Sequence, residues 1–436
     1  MLWKTTEYTG WGRVLNATGD IARPERAATL ARIMQDTPAP AFGNRRSYGD
    51  SPLNDGGRAI DMTRMDKVLA FDPDTGIVEA EAGIRLGELM RLFAPRGWTP
   101  AVVPGTGFCT LGGAIANDVH GKNHHVAGSF GEHVVSVTLF SGGKRVTASP
   151  SRQKTLFRAT MGGIGQTGVI LSAKIKMKPC PGTAMRVTER RIDDWDDQID
   201  ALEASTAPYA VSWIDAQAKG SKLGRGILEE AELAGQNLPS RAKPKSVPVN
   251  IGLFSNSLFT KGFNAGYLRR IPVGGRTSDK PMEDFFFPLD KVHGMTKLYG
   301  KAGFHQFQCV VGPDQTDALR GMMERIARSG LASPLAVLKR MGAGRAGMLS
   351  FPMEGYTLAV DFPNRDKARK LIGALEQMCA EAGGRLYLAK DSLATGETIK
   401  AMYPEWQDWV AEAAKADPEG ALITDMVRRL DMRSAT

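Results

Sequence analysis

Apolar and polar residues alternate strictly along residues 169–179, VILSAKIKMKP. The four apolar positions from Leu171 to Met177 would face one side of an extended chain, and the serine and lysines between them would face the other. This period of two predicts a β-strand with one face in the core and one face in water. Shorter apolar runs predict further strands at 76–83, 134–143 and 209–216.

Apolar residues spaced three and four apart predict two helices in the first hundred residues. In 24–37 the spaced residues follow Pro24, which suits the first turn of a helix. In 86–97 the apolar face is followed by Gly97, which suits a helix end.

The last third of the chain predicts strand–helix–strand twice, over 304–342 and again over 355–392, followed by a mostly helical end. Two such units of similar length predict a sheet with helices on one side, and the chain as a whole is predicted to be α+β. Residues 220–303 are rich in Gly, Pro, Lys and Arg, and we expect them to be irregular, with mobile loops near 238–303.

Length and charge limit the classes of protein that fit. A chain of 436 residues is too long for one ordinary core and suggests at least two domains. The net charge of +9 is spread along the chain, which permits an anionic phosphate or an anionic membrane surface as partner, and we expect no nucleic-acid partner. We expect a cytoplasmic protein or one peripheral to the inner membrane, because we find no apolar leader and no apolar run near twenty residues.

The spacing of the cysteines also favours an intracellular location. Cys109, Cys180, Cys309 and Cys379 lie far apart in the sequence, without metal-site or redox spacing. We therefore expect no disulfide framework and a reducing compartment.

Glycine-rich turns recur in the N-terminal half, at 43–50, 104–118 and 162–170. Glycine allows the backbone to approach a ligand closely, so that successive N–H groups can face phosphate oxygens. The stretches fit neither the Walker pattern nor a Rossmann strand–glycine–helix unit. Three such turns together indicate a large cofactor with two phosphates, contacted by several loops.

Four of the six histidines lie between His120 and His133. A zinc site needs three or four convergent ligands, and we expect no metal here. Structural roles are favoured for His124, His125 and His133. His120 is a candidate site residue because it directly follows the glycine stretch expected to bind the cofactor and precedes Gly121 and Lys122.

Taken together, "RRSYGD" (45–50), "GGAIANDVHGKNHHVAGSFG" (112–131), "GGIGQTGVI" (162–170) and "RLYLAKDS" (385–392) resemble the FAD-dependent oxidases of the vanillyl-alcohol oxidase / p-cresol methylhydroxylase superfamily. The likeness extends over almost the whole chain. It implies a two-domain FAD-binding fold with an antiparallel-sheet substrate domain covered by helices. The implied divisions are an FAD domain at 1–184, a substrate domain at 185–384 and a C-terminal segment at 385–436 that completes the FAD domain.

The resemblance also implies which residues form the site. Its cofactor positions fall on Ala41, Phe42, Gly43, Asn44, Arg45, Arg46, Ser47, Tyr48, Gly49, Asp50, Ser51, Gly105, Thr110, Leu111, Gly112, Gly113, Asn117, Asp118, Val119, His120, Ile170 and Tyr387. Its substrate positions fall on Lys122, Gln306, Gln308, Lys339 and Lys390, with Tyr48 and His120 shared between the two sets.

The implied reaction is oxidation of a secondary alcohol, with hydride leaving for FAD. Within the superfamily the resemblance is strongest to oxidases of the 2′-hydroxyl of a polyprenyl-phosphoryl pentose, the first half of an epimerisation that makes an arabinan precursor for cell-wall biosynthesis. The catalytic candidates are Lys390, Tyr48 and His120. Lys390 could act as base, or it could pair with Asp391 or with a substrate phosphate. Tyr48 could orient the sugar ring or merely pack in its loop.

Two departures from the superfamily pattern matter. Many members attach FAD through a histidine in the first loop, and Arg46 occupies that position, so we expect non-covalent FAD. Mycobacterial members have a cysteine where this chain has Ala359, so we expect no thiol chemistry. Two other functions stay open: an aldonolactone oxidase, and a non-catalytic flavin-binding subunit of an electron-transfer complex.

The implied substrate also implies two partners. A lipid-linked sugar phosphate requires contact with a membrane surface, and an epimerisation requires an NAD(P)H-dependent reductase for its second half. Residues 238–275 could supply the membrane contact, with the basic residues Arg241, Lys243, Lys245, Lys261, Arg269 and Arg270 beside the apolar residues Leu253, Phe254, Leu258, Phe259 and Phe263. The alternative is a disordered, solvated lid.

Overall fold

Three β-sheets contain most of the strands in this computed structural model, which describes residues 3–240 and 245–434. The first sheet has the order β1-β2-β4-β3, with β4 parallel to both neighbours. Its strands are β1 (Trp3–Thr9), β2 (Asn16–Ala22), β3 (Ala41–Phe42) and β4 (Arg58–Asp61).

The second sheet is antiparallel and has the order β5-β6-β10-β8-β9, with β7 paired to the end of β10. Its strands are β5 (Val68–Asp72), β6 (Ile77–Glu81), β7 (Trp98–Pro100), β8 (Val134–Ser141), β9 (Lys144–Ala148) and β10 (Val169–Pro179). The predicted strand 169–179 is confirmed. Its first half is buried on both faces, Ser172 included, because β10 lies between β6 and β8 and the 111–116 helix packs against it.

The third sheet has eight strands, all antiparallel to their neighbours, in the order β15-β11-β13-β12-β18-β19-β17-β20. The strands are β11 (Ala184–Ile192), β12 (Tyr209–Ile214), β13 (Gly226–Ala234), β15 (Arg276–Pro281), β17 (Phe304–Val311), β18 (Ala336–Met341), β19 (Gly355–Pro363) and β20 (Arg385–Leu386). A separate short parallel pair joins β14 (Lys245–Ser246) to β16 (Val292–His293).

Helices cover the sheets and connect them. They are α1 (Ala27–Asp36), α2 (Leu86–Phe93), α3 (Leu111–Ala116), α4 (His124–Ala127), α5 (Lys154–Thr160), α6 (Trp195–Glu203), α7 (Ser257–Arg269), α8 (Met282–Phe286), α9 (Thr316–Ser329), α10 (Asp366–Glu381), α11 (Gly396–Met402), α12 (Trp406–Ala416) and α13 (Asp425–Arg429). The predicted α+β class and both predicted N-terminal helices are confirmed. Gly97 ends the second of these helices in the left-handed conformation, at φ 85°.

Helices α6, α9 and α10 share one hydrophobic core with the eight-stranded sheet. The core residues of β17, β18 and β19 alternate along each strand, for example Phe307, Leu338 and Leu358. The helices therefore cover one face of the sheet, as predicted, and the residues between these core positions face the other side. The domain divisions at 184/185 and 384/385 stay predictions, although β20 pairs with β17 across the second of them.

The prediction that 220–303 is irregular is wrong for much of its length. Strand β13 lies in the middle of the large sheet, and α7 is a helix of 13 residues. Three glutamates made β13 unlike a strand in sequence, but cations neutralise two of them: Lys122 and Arg270 lie near Glu229, and Arg190 near Glu230. Helix α7 lacks the usual apolar buried stripe, because its two fully buried side chains are polar.

Candidate active site

Alternation along three neighbouring strands places the polar candidates on the face of the large sheet opposite helices α6, α9 and α10. Gln306 and Gln308 of β17 lie opposite Asp361 and Ala359 of β19, and Lys339 of β18 lies opposite Thr357. Since Phe307, Leu338 and Val360 take the other face, all of these side chains point the same way. Antiparallel pairing thus gathers residues more than fifty positions apart into one patch.

Lys390 and Tyr387 share this site because the strand that carries them stops early. Strand β20 ends at Leu386, and the Lys390 N–H donates to the Tyr387 carbonyl at 2.8 Å in a tight turn. The Tyr387 hydroxyl donates to the Asn117 carbonyl at 3.0 Å. Lys390 Nζ lies 3.9 Å from the centroid of the Tyr48 ring. The last strand of the predicted 355–392 unit is therefore shorter than expected.

Buried ion pairs clamp this turn to the loop of Tyr48. Arg429 donates to both Asp50 oxygens, at 2.7 and 2.8 Å, and to Asp391 at 2.8 Å. The Tyr48 N–H donates to the Ala389 carbonyl at 2.9 Å. The alternative that Lys390 pairs with Asp391 is wrong, because Arg429 of α13 takes that carboxylate instead.

His120 is neutral in this setting. Burial lowers its pKa well below the ordinary value, and the nearby charge of Lys339 lowers it further. Its Nε2 accepts from the Gln308 amide at 3.0 Å, so the proton resides on Nδ1, which has no hydrogen-bond partner in the described part of the chain. His120 can therefore donate one hydrogen bond to a bound molecule, but it is not suited to be a proton acceptor.

The three lysines of the predicted substrate set differ in whether other groups of the protein already pair with their ammonium groups. Lys122 donates to the Phe285 carbonyl at 2.7 Å and lies 3.6 Å from Glu229. Lys339 and Lys390 have no carboxylate within 4 Å among residues 3–240 and 245–434. Burial lowers the pKa of Lys339 to about 7, and lowers that of Lys390 to about 8 against the opposing effect of Asp361.

The first glycine loop supplies a cradle for phosphate. The backbone N–H groups of residues 44–47 have no acceptor in the described part of the chain, and Arg45 has φ 50°. Consecutive unpaired N–H groups with a left-handed residue among them form an anion-binding concavity. Gly43 packs so closely on Thr110 that a Cβ would lie 2.1 Å from Thr110 Oγ1. The Asn44 amide also donates to the Phe108 carbonyl at 2.9 Å, which fixes the two loops together.

The central glycines play a different part from the one expected. The N–H of Gly112 donates to the Ala82 carbonyl and that of Gly113 to Thr110 Oγ1, so neither is free for a phosphate. Gly112 does not need a left-handed conformation; instead its Cβ would meet Ala82 at 3.0 Å. These glycines allow α3 to pack tightly. Gly105 is exposed, and a Cβ there would have nothing within 4 Å.

The side chains of several other predicted cofactor positions are engaged within the protein itself. Leu111, Val119 and Ile170 belong to the hydrophobic core. The Asp118 carboxylate is fully buried and accepts from Gly131 N–H and Ser350 Oγ. Ala41 and Phe42 form β3, and residues 43–51 follow as one loop. Asn117 Oδ1 is buried without a partner in the described part of the chain, as expected of a group that meets a bound molecule.

Arg46 occupies the position at which, by the resemblance, superfamily members with covalently attached FAD have a histidine. Its guanidinium lies between the rings of Trp11 and Phe108, 4.4 and 4.6 Å from their centroids. This aromatic sandwich fixes the side chain and leaves no nucleophile at the position.

Sequence reasoning missed four residues that organise the site. Asp361 and Tyr299 are hydrogen bonded to one another, Asp290 holds the 105–108 turn through Thr106 Oγ1 and the Gly107 N–H, and Arg429 forms the clamp. None of the four lies in the motifs that carry the resemblance, and no periodicity or spacing in the chain indicates their roles.

Comparison with known proteins agrees with this geometry. A family model described as FAD binding domain matches residues 21–149, and one described as D-arabinono-1,4-lactone oxidase matches residues 355–430. The decaprenylphosphoryl-β-D-ribose oxidase of Mycolicibacterium smegmatis is 36% identical over 453 aligned residues, which cover 98% of each chain. The chain belongs to the decaprenylphosphoryl-β-D-ribose oxidase family of FAD-binding oxidoreductases.

More distant relatives of this family are also similar. The L-gulono-1,4-lactone dehydrogenase of Mycobacterium tuberculosis is 23% identical over 97% of this chain and 98% of its own. The D-arabinono-1,4-lactone oxidase of Yarrowia lipolytica is 28% identical over 38% of this chain and 33% of its own.

The protein is thus an FAD-dependent oxidoreductase, as predicted. The residues present fit the cofactor. The FAD binding domain match contains both the unpaired N–H groups of residues 44–47 and the unpartnered Asn117 and His120 atoms. All four cysteines are free and buried in this structure. No helix in the described residues has the length and apolar character needed to cross a bilayer.

Proposed function

We propose that this protein oxidises the 2′-hydroxyl of a polyprenyl-phosphoryl pentose, similar to decaprenylphosphoryl ribose, to a keto sugar. The product would be the intermediate of an epimerisation to the arabinose form. The name of the 36% identical relative supports this substrate class. Lys339 and Lys390, near the sheet face opposite the helices, support this substrate class independently.

The observation that carries the proposal is the pair Lys339 and Lys390. Two buried ammonium groups without a carboxylate within 4 Å are costly unless an anion joins them. A substrate phosphate bound beside Lys339 would supply that anion and would raise the pKa of Lys339. A neutral sugar lactone would leave them uncompensated.

The protein's own groups can manage the proton of the reacting hydroxyl. FAD, when bound, accepts the hydride. With a pKa of about 8, roughly a tenth of Lys390 is neutral at pH 7 and able to accept the hydroxyl proton. The pKa of Tyr48 is raised well above its ordinary value, by burial first and by Asp361 second, so Tyr48 acts as a donor that orients the sugar. His120 offers its Nδ1–H in the same way.

An aldonolactone oxidase is the second candidate. The match of residues 355–430 to the D-arabinono-1,4-lactone oxidase model favours it, and those residues include β19, the 387–391 turn and α13. A non-catalytic flavin subunit would bind FAD without any substrate that reduces it.

Anaerobic reduction of the flavin separates these functions. The oxidised holoenzyme is mixed without oxygen with a short-chain polyprenyl-phosphoryl ribose, with its arabinose epimer, or with a free aldonolactone. Loss of the yellow flavin absorbance with the lipid-linked ribose and not with the lactone is expected. Bleaching by the lactone alone would favour the second candidate, and bleaching by no compound would favour the non-catalytic subunit.

Such a substrate implies a membrane surface and a reductase. A keto sugar must be reduced to complete an epimerisation, so we propose an NAD(P)H-dependent reductase as partner. Helix α7 supports the membrane surface. Of the thirteen exposed large apolar side chains in the described residues, seven lie between Val249 and Val273. Leu258 is 80% exposed, while Thr260 and Asn264 of the same helix are buried.

The exposed apolar and buried polar side chains of α7 distinguish this helix from a solvated lid. Asn264 donates to Asp215 at 2.6 Å, and Arg270 pairs with Glu189 at 2.8 Å, so polar groups anchor the helix to the sheet. Arg270 is therefore not free for lipid, contrary to expectation, because Glu189 and Glu229 hold it. Lys245, Lys261 and Arg269 are exposed, whereas Arg241 and Lys243 lie outside the described residues.

A row of aromatic rings connects α7 with the active site. Phe263 and Phe259 both contact Phe254, and the Phe254 ring lies 5.4 Å from that of Tyr299. Tyr299 stacks on Phe304 at 3.9 Å, and Phe304 in turn meets Tyr48. Tyr299 and Phe304 are buried, so this row is a packed support that joins α7 to Tyr48.

A further inference from the structure

Asp361 is a fully buried carboxylate on the site face of β19, directly opposite Gln306. Each of its oxygens accepts one hydrogen bond. Oδ1 accepts from Gln306 Nε2 at 2.5 Å, and Oδ2 accepts from the Tyr299 hydroxyl at 2.6 Å. An ionised carboxylate can only accept, so both neighbours are forced to donate toward it.

The orientation of the Gln306 amide in turn constrains the Tyr48 hydroxyl. The second proton of Gln306 Nε2 points to the Tyr48 hydroxyl at 3.3 Å, so the amide nitrogen has both protons engaged. The Gln306 carbonyl oxygen has no hydrogen-bond partner in the described part of the chain. The Tyr48 hydroxyl oxygen accepts from Gln306, so its own proton is directed away from that donor.

We propose that Asp361 is a positioning residue that fixes the direction of the hydrogen bonds that Gln306 and Tyr48 offer to the reacting hydroxyl. It orients Gln306 with its carbonyl oxygen as an acceptor and, through Gln306, leaves Tyr48 as a donor beside Lys390. A substrate hydroxyl can accept from Tyr48 and can donate to the Gln306 oxygen until Lys390 takes its proton, so this arrangement selects a hydroxyl at the reacting carbon. The substrate named here rests on the proposed function.

The arrangement depends on the ionised state of Asp361. It is faced by Tyr299, Gln306 of β17, Lys390 of the 387–391 turn and Tyr48 of the first loop. Burial raises the pKa of Asp361 to about 6, against the lowering effect of its two hydrogen bonds and of Lys390. Below that pH a protonated carboxyl would donate to the Gln306 oxygen and turn the amide over, so the selection for a hydroxyl should be lost.

Ligand binding to the reduced holoenzyme tests this without turnover. The flavin is reduced with dithionite, and the dissociation constants of farnesylphosphoryl ribose and its 2-deoxy analogue are measured at pH 7.5 and pH 5.5. The wild type should prefer the hydroxyl compound about 10-fold or more at pH 7.5 and much less at pH 5.5. Asp361→Leu should bind both compounds equally at either pH.

Asp361→Asn distinguishes positioning from a merely structural role. An amide oxygen can still accept from Gln306, but it does not titrate. This variant should show an intermediate preference that is the same at both pH values. Tyr299→Phe should keep most of the wild-type preference, because the bond from Gln306 to Asp361 remains.

Two results would overturn the proposal. One is a wild-type preference in Asp361→Leu or, if that variant does not fold, in Gln306→Leu. The other is a wild-type pH dependence in Asp361→Asn. Failure of the proposed function is a separate result, in which lipid-linked ribose leaves the wild-type flavin oxidised; the comparison is then made with the sugar alcohol that does reduce it and that compound's deoxy analogue.

Discussion

Lys390 lies over the ring of Tyr48, with Nζ 3.9 Å from the ring centroid, although 342 positions separate the two residues in the sequence. The Arg429 clamp between Asp50 and Asp391 holds their two segments together. The ammonium is buried against an aromatic face and lacks a paired carboxylate. It therefore attracts anions electrostatically and can lose its proton near neutral pH.

Replacing Lys390 by alanine should leave FAD bound and abolish flavin reduction by substrate. The lost group would be the proton acceptor or the contact to the hydroxyl, and a fall of about 100-fold or more is expected. Stopped-flow absorbance without oxygen measures the rate. Lys370→Ala, at an exposed position of α10, is the control. A wild-type rate in Lys390→Ala would remove Lys390 from the mechanism.

Substrate binding and the reduction step should respond to pH in opposite directions. The rate of flavin reduction at saturating substrate should rise as pH increases through about 8, because the neutral form of Lys390 becomes available. The affinity for the phosphate-bearing substrate should fall as pH rises above about 7, because Lys339 loses its charge. Rate and half-saturation concentration are measured between pH 6 and 9. A reduction rate that falls with rising pH would instead assign Lys390 a role as a protonated contact.

FAD should be released when the protein is denatured. Arg46 stands where linked members have a histidine, and Trp11 and Phe108 hold its guanidinium. After acid precipitation the yellow colour should appear in the supernatant. Flavin that stays in the washed pellet would demonstrate a covalent bond.

Gly43→Ala should lower the FAD content of the purified protein. A Cβ at this position would lie 2.1 Å from Thr110 Oγ1, so the loop that carries the unpaired N–H groups of residues 44–47 would have to shift. The ratio of flavin to protein absorbance measures the effect. Gly373→Ala is the control, since it lies in α10 where a Cβ would meet nothing within 4 Å. Equal flavin content in the two variants would contradict the assigned cradle.

The exposed apolar face of α7 should bind vesicles. The wild type should sediment with vesicles that contain anionic lipid, and less so at high salt, since basic residues near the surface each contribute about 1 kcal/mol. A variant with Leu258, Phe259 and Phe263 changed to serine should remain in solution. A control carries serine at Leu69 and Leu92, which are exposed elsewhere on the molecule. Equal sedimentation of both variants would exclude α7 as the membrane contact.

The sequence by itself determined the features that depend on neighbouring residues. The alternation in 169–179, the helical spacing in 86–97 and the repeated strand–helix–strand order each arise from local periods of burial, so β10, α2 and the α+β class could be predicted. The four motifs that resemble FAD-dependent oxidases indicated the cofactor and placed Tyr387 and Lys390 in one site.

Only the tertiary structure decided which polar groups meet. Asp361 faces Gln306 because of the register between β17 and β19, and Arg429 reaches Asp50 because the C-terminal helix returns to the first loop. Strand β13 and helix α7 contradict their local patterns, since cations from distant parts of the chain neutralise two of the three glutamates of β13, and α7 buries polar residues, one of them against Asp215. Such partners lie dozens to hundreds of positions apart, and no period or spacing along one chain encodes a pairing at that distance.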